Sequence, residues 1–198
     1  MLKLRPMGAA LLVRVLFWCW FAAAVAAGHQ LVFLRLPPWM LPASTIFLAA
    51  ILLGLGLGVP GLRRWLEAVE SRTLVLLHVS RGVGVYFLHL HQQGDLPRAF
   101  AVPAGLGELV VAVMALPVVF APLSEESRQR AIRIWSIVGF VNLLFVVFTL
   151  TRLQLTEPLA LRAFGALPLV LYPTFLLPLL LAAHVVVLLR TTAHHDQR

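Results

Sequence analysis

The sequence predicts an all-α fold: a polytopic membrane helix bundle with six transmembrane helices. Three observations carry that expectation. Of the 198 residues, 61% are hydrophobic and 12% are charged, whereas soluble domains run nearer about 25% charged. Mean hydropathy is +0.93. Apolar runs of about 20 residues, the length that crosses a hydrocarbon core, recur along the whole chain. The alternating polarity of barrel strands is absent. A single domain over residues 1–198 is expected, with spans near 10–34, 43–62, 73–91, 100–120, 131–150 and 163–189.

The formal charge of +8 does not point to nucleic acid, because the basic residues are scattered singly between apolar spans, where they act as topology signals. The implied partner is the lipid bilayer, with other membrane subunits as candidates. Cys19 is the only cysteine, which excludes disulfides, Cys-ligated zinc and Fe–S clusters built by one chain.

Residues 1–27 carry Lys3, Arg5, an apolar run and the Ala-rich FAAAVAAG, and so resemble a signal peptide. The apolar stretch continues through LVFL (31–34), longer than a normal signal core, so an uncleaved first span is expected. Arg14 lies near one end of that span and can snorkel. Trp18, Trp20 and Trp39 suit interfacial anchoring. In the second span Ala50, Gly54 and Gly58 recur every four residues, the small-residue pattern that lets membrane helices approach closely. The charged connection RRWLEAVESR (63–72) leads to the third span.

That third span, TLVLLHVSRGVGVYFLHLH (73–91), carries His78, Arg81 and His89 within its apolar run. On an ideal helix the three lie within about 80° of one another. The span ends in HQQGDLPR, where Gly94 and Pro97 mark a turn. The fourth span holds Glu108 just after Gly105 and Gly107. The loop APLSEESRQR offers Ser124 as N-cap of the next helix, whose span holds Asn142. The sixth span contains Pro168, Pro173 and Pro178, with His184 near its end. Prolines free backbone groups that neighbouring helices must satisfy.

Six spans place both termini on one side. Lys3, Arg5, Arg63, Arg64, Arg72, Arg128, Arg130, Arg133, Arg190 and Arg198 flank that side; Arg35, Arg98, Arg152 and Arg162 flank the other. The positive-inside rule then makes both termini cytoplasmic, in the inner (plasma) membrane. LVLLHV (74–79) and LLAAHV (180–185) are the only echo of an inverted repeat.

Depth, counted at about 1.5 Å per residue, brings His78, Arg81, Glu108, Asn142 and His184 into one slab of the membrane. A central Arg costs about 2.5–3.5 kcal/mol on the insertion scale, and the apolar residues of the third span return roughly 3–6 kcal/mol. The third span should therefore be ringed by its neighbours, with Arg81 paired to Glu108, the carboxylate placed deep in a span. Three readings of this cluster compete. It can be a polar clasp of a non-catalytic subunit. It can be a haem b or redox-accessory site, the leading functional expectation, with His78 and His184 as axial ligands and Arg81 beside a propionate. It can be a small transporter or proton-coupled carrier. Hydrolase patterns are absent, so catalysis by the chain itself is not expected. Separately, His89, His91 and Asp95 at the outer end of the third span, with His29 nearby, form a candidate divalent-metal set whose simpler explanation is interfacial solvation. His194 and His195 are read as solvated.

The runs HVSRGVGVYFLHLHQQGDLPRAFAVPAGLGE (78–108), WSIVGFVN (135–142) and LYPTFLLPLLLAAH (171–184) resemble an uncharacterised family of small bacterial multi-span membrane proteins. The matching positions are His78, Arg81, Gly94, Pro97, Pro103, Gly105, Trp135, Gly139, Pro173 and His184. The chain departs from the pattern at Glu108, Ser136 and Asn142, where the family pattern has Asp, Asn and Asp. The loss of an acid at Asn142 weakens a two-carboxylate proton relay. The resemblance implies no known activity.

Overall fold

The computed structural model describes residues 6–193, with side chains from residue 10 to 192. Lys3, Arg5, His194, His195 and Arg198 of the topology and tail arguments lie outside the described residues. Among the described residues the chain is all-helical, and six helical stretches are long and apolar enough to cross a membrane. The helices are α1 (Pro6–His29), α2 (Val32–Arg35), α3 (Met40–Gly58), α4 (Pro60–Ala68), α5 (Ser71–Leu77), α6 (Gly84–Gln93), α7 (Arg98–Phe120), α8 (Glu125–Thr156) and α9 (Leu177–Ala193). A 3₁₀ segment, His78–Val83, joins α5 to α6. Another covers Pro158–Gly165, and a π-helical turn, Tyr172–Leu176, leads into α9.

Several boundaries differ from the sequence expectation. The first helix ends at His29 and not at residue 34. Leu31 then turns the chain with φ 53°. The second span stops at Gly58. Val59 is extended (ψ 115°) ahead of Pro60, as the residue before a proline prefers, and the charged connection forms a separate helix, α4. The sixth span starts at Tyr172 and not at residue 163.

The chain packs as two compact units: residues 1–70 with 162–182, and residues 71–161 with 183–198. In the first unit the π-helical turn sets a backbone problem. The Leu177 N–H reaches back five residues to Tyr172 O, which leaves Pro173 O without its helical donor. Pro178 has no N–H, which frees Thr174 O. Both carbonyls find side-chain donors on other helices. Thr45 Oγ1 of α3 donates to Pro173 O at 2.7 Å, and Trp20 Nε1 of α1 donates to Thr174 O at 3.0 Å. Phe17, Trp20 and Phe21 pack their rings around Phe175. Gly28 permits the approach of α1, since a Cβ there would collide with Val170.

In the second unit the element shared by the others is α7, which packs along α5, the 3₁₀ segment, α6 and α8. The third span was the expected centre. The fourth takes that place because its inner face is small: Ala101, Ala104, Gly105, Ala112 and Ala115 are buried along it. A Cβ on Gly84 would strike Gly105 O, and one on Gly105 would stand 2.9 Å from Gly84 O, so α6 and α7 touch backbone to backbone there. Val75, Val111, Ala115, Val119, Ile132, Trp135 and Val187 form the apolar core. Ser124 caps α8, its Oγ accepting from Ser127 N at 3.3 Å. Arg128, from the next turn, donates to Val118 O, Val119 O, Ala121 O and Leu123 O, at 3.2, 2.8, 3.0 and 3.4 Å, and so satisfies carbonyls orphaned at the end of α7.

If these side chains hold the freed carbonyls of the π-helical turn, removing either donor lowers stability by about 1–3 kcal/mol, the desolvation cost of an unsatisfied buried acceptor. Thr45→Val and Trp20→Phe, compared with wild type by thermal unfolding in detergent, measure it. A Thr45→Ser variant, which keeps the hydroxyl, should lose less than Thr45→Val.

Candidate functional site

The third span is not one continuous α-helix. Its 3₁₀ segment places His78 and Arg81 at its start and middle, both fully buried. A 3₁₀ turn takes 3.0 residues against 3.6, so six such residues overwind the helix by about 120°. The ideal-helix stripe of His78, Arg81 and His89 is thereby broken. Arg81 points into the second unit, while His89 is exposed.

Arg81 meets Glu108 of α7 with both halves of its guanidinium. Nη2 donates to Oε1 at 2.7 Å and Nε to Oε2 at 3.1 Å, with neither side chain exposed. This is the bidentate fork that arginine makes with a carboxylate. The remaining nitrogen, Nη1, donates to Gly139 O at 3.2 Å and lies 3.3 Å from His184 Nε2. Asn142 Nδ2 of α8, half-buried, donates to Glu108 Oε1 at 3.0 Å. Arginine has only donors, so His184 Nε2 accepts and the ring carries its proton on Nδ1. That proton faces Ser136 Oγ at 2.9 Å, and Ser136 in turn reaches His184 O at 3.5 Å. One tautomer therefore satisfies the ring, the hydroxyl and the guanidinium together.

Glycines make room for this network. A Cβ on Gly139 would stand 2.5 Å from His184 Cε1, and a Cβ on Gly107 would overlap the Asn142 amide. Trp135 closes one side, its Nε1 donating to Val111 O at 3.0 Å and its ring 5.2 Å from that of His184. His78 packs against both rings, 5.0 Å from Trp135 and 3.9 Å from His184 by ring centroids. Neither of its ring nitrogens has a hydrogen-bond partner among the described residues. Depth counting did not bring Ser136, Gly139 and Trp135 into the site, although the family resemblance singled out all three positions. The available signal was positional, since all three lie on α8 within two turns of Asn142.

A haem held between His78 and His184 would set a minimum spacing for the two rings. A metal–imidazole bond is about 2.0–2.1 Å long, so nitrogens on opposite sides of one metal stand about 4 Å apart and their ring centroids farther. Here the centroids themselves are 3.9 Å apart at a 39° tilt, and both nitrogens of His184 are engaged. These residues, as placed, do not fit an iron between them. Arg81 is likewise committed to Glu108. At the other end of the span, His91 Nδ1 lies 3.1 Å from Leu96 O and closes the turn after α6. His89, Asp95 and His29 are exposed. Among the described residues no three His, Cys, Asp or Glu side chains form a metal-binding group.

Fold and site together define a multi-pass α-helical membrane protein that carries a buried arginine–glutamate pair. The chain belongs to the family described as Domain of unknown function (DUF8737), whose model matches residues 37–191. No curated protein matches it, and no solved structure does. Every residue of the polar network lies within the matched stretch, whereas α1 precedes it.

Breaking the pair on one side strands a buried charge. Arg81→Met and Glu108→Met should each cost about 3–5 kcal/mol, while the double variant should recover most of that loss. Unfolding of the three variants in detergent closes the cycle. Gly139→Ala, which drives a methyl into the His184 ring, should also destabilise, by about 1–3 kcal/mol.

Proposed function

We propose that this chain is a non-enzymatic subunit of a bacterial inner membrane, with both termini cytoplasmic, in which the Arg81–Glu108 network acts as a structural clasp. One observation supports the reading above the others. The ion pair stands at zero exposure with both forks of the guanidinium on the carboxylate, and Asn142, Gly139 O, His184 and Ser136 occupy the surrounding positions. A carrier site that trades ions with water needs a cavity reaching Glu108, and Glu108 is sealed. A pair that neutralises itself lets four spans carry polar groups through lipid without exposing them.

A proton-coupled carrier is the second reading, and a specific observation favours it. His78 sits buried with two unpartnered ring nitrogens at the start of a 3₁₀ segment in mid-span, and such segments often mark hinges. The carrier would have to open before Glu108 met water. The haem-binding or redox-accessory reading has the same histidines but needs them farther apart.

Two measurements separate the three. The clasp expects detergent-purified protein to be colourless and folded; a dithionite-reduced haem α-band that disappears in His78→Ala and His184→Ala overturns it. In proteoliposomes under a pH gradient, the clasp expects no proton flux above empty liposomes. Flux that is present in wild type and lost in Glu108→Gln assigns the chain to the carrier class.

A further inference from the structure

The first unit carries cations that the network of the second does not use. Arg14 lies on α1 in an otherwise apolar stretch. Its side chain is exposed and has no hydrogen bond or ion pair among the described residues. It is eight residues from the start of α1, about 12 Å along the axis. The candidate span begins at Ala10, four residues before it, and a lone guanidinium so near a span end is satisfied by reaching the headgroups.

The chain then supplies more cations on the same side. α1 crosses and α3 crosses back, so α4, which follows α3 after Val59, lies at the membrane face where α1 starts. α4 packs against both α1 and α3. Its apolar side, Leu62, Trp65 and Leu66, is half-buried, with Leu66 Cδ2 3.6 Å from where a Gly56 Cβ would stand. Its other side presents Arg63 and Arg64 to the exterior. Arg64 Nε donates to Pro60 O at 3.2 Å, which leaves both terminal nitrogens of its fork outward. Arg63 pairs with Glu67 at 2.9 Å, but both side chains are more than half exposed, at 64% and 57%, and exposed pairs of this kind are weak. A phosphate diester can compete for Arg63.

We infer that Arg14, Arg63 and Arg64 together form a binding surface for an anionic phospholipid headgroup on this face of the first unit. The guanidinium fork matches phosphate oxygens. The amphipathic α4 sets two of the forks at headgroup height, while Arg14 approaches from the acyl side. The inference is independent of the clasp, since none of its residues belongs to the polar network.

Native mass spectrometry of the full chain, released from micelles with equal amounts of dioleoylphosphatidylglycerol and dioleoylphosphatidylcholine, tests it. Wild type should retain the glycerol lipid at least about fivefold over the choline lipid, given the usual contribution of one basic residue at an anionic surface. The preference should shrink in Arg14→Gln/Arg63→Gln/Arg64→Gln. It should also shrink when wild type is equilibrated at about 1 M instead of about 0.1 M salt, where the screening length falls from about 10 to about 3 Å. Equal retention of the two lipids by wild type overturns the proposal. So does a preference that survives in the triple variant or ignores salt. If the triple variant does not fold, Arg63→Gln/Arg64→Gln, confined to the exposed side of α4, takes its place with the same expectation.

Discussion

The second unit depends on a single constraint: a guanidinium cannot stand alone in a hydrocarbon core. Arg81 lies in mid-span, and the elements around it supply what that charge needs. α7 provides Glu108. α8 provides a carbonyl at Gly139, the amide of Asn142 and the hydroxyl of Ser136, and α9 provides the His184 ring. Because the interactions are directional, the helices cannot slide or rotate independently without leaving a polar atom unmatched. A purely apolar bundle would tolerate such slippage far better. The glycines follow from the same demand. Gly84 and Gly105 bring two backbones together beside Glu108, and Gly139 and Gly107 leave space for the His184 ring and the Asn142 amide.

The first unit meets the corresponding problem on the backbone. Prolines around the π-helical turn remove donors and shift the hydrogen-bond ladder, so Pro173 O and Thr174 O are freed. Thr45 and Trp20 replace those donors from neighbouring helices. A hydroxyl and an indole in apolar spans, unremarkable by composition, thereby become the means by which an irregular helix is tolerated in a membrane. Both units are thus organised around polar groups that lipid cannot solvate, one a side-chain charge and the other a pair of carbonyls.

His78 is the exception to this economy. Every other member of the network has a partner, while this ring rests against His184 and Trp135 with both nitrogens unmatched. Residues three apart eclipse in a 3₁₀ segment, so the winding that turns Arg81 inward turns His78 inward with it. Placing Arg81 correctly and burying His78 are two outcomes of one backbone choice.

Much of this was legible in the chain. Apolar length fixes six crossings, because only a helix of about 20 residues satisfies its own backbone across the core. The position of Glu108, a carboxylate deep in a span, marks it as the natural partner of Arg81. The Ser124 cap was readable from the residues that follow it. What the sequence could not decide was winding and approach. An ideal helix puts His78, Arg81 and His89 on one face; the 3₁₀ segment separates His89 from the other two, because each residue wound at 3.0 per turn instead of 3.6 rotates the following chain by about 20° more. Equal depth made His78 and His184 a plausible ligand pair, but only packing settles the distance between two rings. The sequence by itself determined which groups lipid would refuse to solvate. The tertiary structure decided who solvates them instead, since partner, tautomer and spacing are properties of helices already packed together.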